Sequence, residues 1–156
     1  MSELLIIGYG NPLRRDDGVG WHAANRLSEQ WGHDPAITVL ACHQLTPELA
    51  EPLSRARRAL FLDAQSGGIP GRINRRVVLP EGTVNGAFNH EFNPSSLLLI
   101  TQILYGVYPE AVLLSMVGAD FGLGESFSAP VQSALDRYLG QVEYWRMPLK
   151  KVHGHA

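Results

Sequence analysis

Leu4-Leu5-Ile6-Ile7-Gly8-Tyr9-Gly10-Asn11-Pro12-Leu13-Arg14-Arg15-Asp16-Asp17-Gly18-Val19-Gly20 is the stretch that decides the fold. Residues 4–7 are apolar without alternation, as expected of a strand covered on both faces. Gly8, Gly10, Asn11 and Pro12 are turn formers and end it. From about Asp17 the apolar residues fall at helical spacing, with Val19, Ala23, Leu27 and Trp31 on one stripe. Asp16 or Asp17 is placed to cap that helix or complement its dipole. The segment therefore reads as strand, loop and helix.

The same order recurs downstream. Ile37 to Ala41 predicts a second strand, and Thr46-Pro47-Glu48 starts a helix running to about Ala56. Ala59 to Leu62 predicts a third buried strand ending at Asp63. Arg72 to Leu79 mixes basic and apolar residues in the manner of an edge strand or hairpin; its basic stretch Arg72 to Arg76 reads as a solvated edge strand, with contact to an acidic partner surface as the alternative. A polar loop carrying His90 leads to Asn93-Pro94, which opens a third helix, and Ala111 to Val117 supplies another buried strand. Ser128 is placed to cap a last helix with Val131, Leu135, Tyr138, Val142 and Trp145 on one face. Strands alternating with helices predict a three-layer αβα sandwich of the α/β class, its twisted sheet mostly parallel. Residues 1–148 are expected to form this one domain and residues 149–156 a flexible tail.

Bulk properties narrow the function classes. A chain of 156 residues that is 45% hydrophobic has the size of one domain with a substantial core. Its 13 basic and 15 acidic residues leave a formal charge of −2, so nucleic acid and anionic membrane are poor partners. The single cysteine, Cys42, allows neither an internal disulfide nor a thiolate zinc site. Glu3 stands where a signal peptide carries basic residues, and no run approaches the roughly 20 apolar residues that span a bilayer. A cytoplasmic protein is expected.

In a mostly parallel sheet, ligands bind beyond the carboxyl ends of the strands, which makes Asn11, Asp63 and His90 informative. Asp63 closes an apolar strand, Asp17 follows the first strand, and His90 lies ahead of the third helix. Separately, each has a plain structural reading as a loop cap, a helix cap or a solvated side chain. Together, two carboxylates and an imidazole form a mixed oxygen and nitrogen set suited to nickel, zinc, iron or manganese, with coordination positions left open.

The segment from Gly8 to Gly20 resembles the opening signature of the hydrogenase maturation endopeptidases, nickel-dependent proteases that trim the large subunit of nickel-iron hydrogenases. Leu62-Asp63-Ala64 resembles the second motif of that family, and the His90 loop with Pro94 and its leucine-rich helix resembles the third. Gly124-Glu125-Ser126-Phe127-Ser128 resembles the family's penultimate loop. The resemblance runs from about Leu4 to Leu139. It implies a sheet of five strands, with Asp17, Asp63 and His90 matching the metal-binding trio. It also implies removal of a C-terminal peptide from a hydrogenase large subunit precursor whose nickel is already installed. Nickel would then come with the substrate, and another divalent metal could replace it in vitro. Water could be activated by the metal or by Asp17 and Asp63 acting as general acid and base.

Gly10, Asn11 and His43 are expected to position the substrate, Asn11 through its side-chain amide. His43-Gln44-Leu45-Thr46-Pro47-Glu48-Leu49 departs from the Gly-Thr-type loop of the best-known branch, and an ordinary loop role is the alternative for His43. Gly8-x-Gly10 lacks the third glycine of a dinucleotide fingerprint, since position 13 is leucine, which argues against a Rossmann cofactor. Asp16 reads as a capping or supporting carboxylate, and Cys42 as a buried, inert thiol. His153 and His155 read as part of a frayed terminus. Two further readings stay open: a non-catalytic metal-recognition or chaperone module, and a metal-dependent hydrolase of a small substrate.

Overall fold

In the computed structural model, which describes residues 2–82 and 92–146, the first apolar run is the centre of strand β1 (Ser2–Tyr9). Strands β2 (Ile37–Cys42), β3 (Ala56–Gln65), β4 (Ile73–Val78) and β5 (Glu110–Val117) complete one sheet in the order β2-β1-β3-β5-β4. The first four positions in that order run parallel, and β4 closes one edge antiparallel to β5. Ile6 stands between Val39 and Leu60 in the register.

Continuous apolar runs form the middle strands because both of their faces are covered. On one face, Leu4, Ile6, Leu60, Leu62, Val112 and Leu114 pack under helices α1 (Val19–Trp31) and a long C-terminal helix at Ala129–Trp145. On the other, Leu5, Ile7, Ala59, Phe61 and Ala111 meet the short α2 (Ala50–Ser54) and α3 (Pro94–Tyr105). The C-terminal helix is accordingly α4. This is the expected three-layer sandwich of five strands. Because α1 carries the chain from β1 to β2 and α2 carries it back to β3, the connections diverge on either side of β1. A crevice forms at such a switch point.

Several local expectations change. The second helix is shorter than predicted: a 3-10 turn at Pro47–Leu49 leads into α2, and by Ala56 the chain is already paired with Ser2. Strand pairing thus overrides the local helical pattern. Likewise β3 does not end at Asp63, because Asp63, Ala64 and Gln65 pair with Ser115, Met116 and Val117 of β5. Ser128 occupies the cap position of α4 without a side-chain capping bond; its hydroxyl donates to Asp16 Oδ2 at 2.7 Å instead. α3 begins as expected, with a reciprocal capping box in which Asn93 Oδ1 accepts from the Ser96 amide and Ser96 Oγ accepts from the Asn93 amide. The tail at 149–156, including His153 and His155, lies outside the described residues.

Candidate active site

The site starts where β1 runs out. Gly10 has φ 142°, a value that disfavours any side chain, and a Cβ there would lie 1.9 Å from the carbonyl oxygen of Asp17. Gly10 therefore sets the close approach of the returning chain. One residue later, the Asn11 amide donates to Asp17 Oδ2 at 2.8 Å. Asn11 Oδ1 accepts from the Leu13 amide at 2.9 Å, so the side chain predicted to face the substrate is partly spent on the turn. The expectation that Asp16 or Asp17 caps α1 fails: Gly18 holds the cap position with no side-chain bond, and the two carboxylates point to other partners.

Those partners separate the two aspartates. Asp17 is half-buried and borders an open cleft. Asp16 is fully buried and accepts from the amides of Ala119, Asp120 and Ser128 and from the Ser128 hydroxyl. Burial pushes its carboxyl up, but the hydrogen bonds from Ser128, Asp120 and Ala119 outweigh that and hold it below its ordinary value. Asp16 is the clasp of the loop before α4.

Asp63 enters from β3 on the α3 side of the sheet. Its Oδ1 accepts from the Ala64 amide at 2.7 Å. The Tyr9 hydroxyl also hydrogen-bonds its carboxylate. Burial, then the Asp63 charge and this bond, push the phenol far above its usual range, so Tyr9 stays protonated and donates. Beneath the strand, the buried Tyr138 hydroxyl donates to the Leu114 carbonyl at 2.8 Å and sits 3.4 Å from that of Asp63. Tyr9 was not among the expected site residues. Its only signal is the register, in which Gly8 faces Leu62 and the next residues are Tyr9 and Asp63.

Asp17, Asp63, Gly10, Asn11 and His43 all border one cleft of about 740 Å³, with Phe92 and Arg14 on its walls. His43 is exposed at the end of β2, its ring 6.1 Å from that of Trp21. His90 lies outside the described residues, and among those described no three His, Cys, Asp or Glu side chains cluster closely enough to hold a metal. The described part of the cleft therefore offers the two carboxylates of the proposed trio. Cys42 is half-buried, less enclosed than expected, and burial pushes its thiol up, which leaves little thiolate. No helix among the described residues is long and apolar enough to cross a membrane.

By sequence, the chain matches no family model and no curated protein. Its structure is similar to several solved ones. A [NiFe] hydrogenase maturation protease, HycI, from Thermococcus kodakarensis superposes with a TM-score of 0.72 at 20% identity, covering 90% of each chain. The hydrogenase maturating endopeptidase HybD from E. coli gives a TM-score of 0.72 at 18% identity over 91% of this chain and 90% of that one. A hydrogenase 2 maturation peptidase from a Thaumarchaeota archaeon gives 0.67 at 23% identity, covering 90% of this chain and 96% of the other. At such identities the likeness is one of architecture, and the architecture is that of the hydrogenase maturation proteases.

Proposed function

We propose that the chain is an endopeptidase that removes a C-terminal peptide from the nickel-loaded large subunit precursor of a nickel-iron hydrogenase. The observation that carries this reading is that Asp17 and Asp63 both line a single cleft, at the switch point of a fold shared with hydrogenase maturation proteases. Two half-buried carboxylates, each with one oxygen fixed by a backbone amide, are preorganised to meet a cation. In this reading the cation is the nickel ion of the substrate, and Asp17, Asp63 and His90 are its protein ligands. His90 stands two residues before Phe92, which borders the cleft.

The chemistry asked of the chain is modest. A bound divalent ion polarises the scissile carbonyl and favours ionisation of water. The chain itself holds the ion and the peptide in register. Asp17 or Asp63 can take the proton from the attacking water, as a carboxylate within hydrogen-bond reach does in general base catalysis. Tyr9 fixes the orientation of Asp63, and Gly10 and Asn11 fix that of Asp17. His43, exposed at the border of the same cleft, would contact the incoming chain in this reading.

The test is to incubate the purified protein with a nickel-loaded precursor and follow the mass of the precursor. Loss of a C-terminal peptide is expected. Tight binding without a change in mass would instead identify a recognition module, and neither binding nor cleavage would leave a hydrolase of some smaller substrate.

A further inference from the structure

The sheet ends at β4, and the outer side of this strand carries no partner among the described residues. Its register shows which backbone groups are open. The Val117 amide donates to the Arg72 carbonyl at 2.8 Å, which marks Arg72 and, in antiparallel alternation, Asn74, Arg76 and Val78 as the residues bonded to β5. The N–H and C=O groups of Ile73, Arg75 and Val77 therefore point away from the sheet. Along this edge Arg72, Arg75, Arg76 and Val77 are exposed. None of these three arginines forms an ion pair among the described residues; Arg75 instead lies over the Trp145 ring, 5.6 Å from its centroid.

We infer that β4 is a docking edge for an extended, acidic segment of a partner protein, which joins the sheet as a sixth strand. Open backbone groups supply a ladder of hydrogen bonds that any extended chain can accept. The side chains supply the choice. Arg76 and Val78 share the α3 face, whereas Ile73, Arg75 and Val77 share the α4 face, so an added strand meets positive charge on both. Opposite charges across neighbouring strands stabilise pairing, and like charges directly opposite destabilise it. A second copy of this edge would bring arginine against arginine, and the chain's own Lys150-Lys151 segment is also basic. Arginines thus guard the edge against self-pairing while leaving it open to carboxylates. This inference does not rest on the proposed peptidase activity, although the charge of Arg76 reaches Tyr9, the partner of Asp63.

The intact protein can be titrated with a dye-labelled peptide alternating glutamate with valine and threonine, and with its lysine counterpart, while amide exchange is followed by NMR. The acidic peptide is expected to slow exchange at Arg75 and Val77, to weaken with added salt, and to bind roughly tenfold more tightly than the lysine peptide, reflecting the cross-strand charge pairs. The double variant Arg72→Glu, Arg76→Glu should reverse that preference. Amides of Ile73, Arg75 and Val77 that are already protected in the free chain would overturn the inference, because the edge would then be covered by the protein itself. Equal binding of both peptides, protection elsewhere, or no binding would overturn it as well.

Discussion

Gly10 is the residue at which the first loop tolerates least. Any Cβ there meets the Asp17 carbonyl oxygen at 1.9 Å, on a backbone with φ 142°. Gly10→Ala is expected to cost more than about 1 kcal/mol in chemical denaturation, from strain that alanine cannot relieve, and to lower cleavage by displacing Asp17. Asp17→Asn and Asp63→Asn bear on the chemistry itself. Each keeps size and shape but removes the charge offered to a cation, so each should abolish cleavage while the circular dichroism spectrum and melting temperature stay close to those of the parent. His90→Ala should do the same. Full activity in any one of the three removes that residue from the proposed trio. The spacing of Asp17 and Asp63 in the chain is uninformative by itself. That both reach one cleft follows from β1 and β3 being sheet neighbours.

At the scale of elements, the loop between β5 and α4 is gathered largely by one carboxylate. Asp16 gathers three amides and one hydroxyl from positions 119–128, and beside it the Arg15 amide donates to the Gly124 carbonyl at 2.9 Å and its guanidinium to Ser126 Oγ at 2.9 Å. These contacts offset the cost of holding Arg15 at φ 46°. Asp16→Asn turns an amide NH₂ toward incoming donors and should cost about 2–4 kcal/mol, as a buried hydrogen-bonded charge is lost. The folded carboxyl lies below its ordinary value. Its contribution is therefore fully present above the unfolded pKa of about 4 and is lost as pH falls through the depressed folded value. A plot of unfolding free energy against pH should lose part of its acid slope in Asp16→Asn. Adjacent aspartates in sequence carry no mark of which one faces the cleft; the burial of Asp16 under a loop more than a hundred residues away decides it.

For the molecule as a whole, both cores share the same strands. Leu60 packs under α1 and α4, and the next residue, Phe61, packs toward α2 and α3. Leu60→Ala is expected to destabilise by about 2–5 kcal/mol and Phe61→Ala by about 3–5 kcal/mol. Both should lower one and the same unfolding transition, seen identically by near- and far-UV circular dichroism, because neither layer can leave the sheet without exposing the other. Two separate transitions in either variant would contradict a shared core.

Alternation of apolar strands with amphipathic helices by itself determined the layered architecture, since a strand buried on both faces and a helix buried on one each leave a periodicity in the chain. It also placed β4 at an edge, where basic residues are tolerated, and put Asn93-Pro94 at a helix start. Element ends were decided elsewhere: β3 runs on past Asp63 and begins before Ala59 because β1 and β5 offer backbone partners there. The same holds for the roles of Asp16, Ser128 and Tyr9. Hydrogen-bond partners of a side chain are chosen by which segments meet in space, and that meeting exists only once the sheet has assembled.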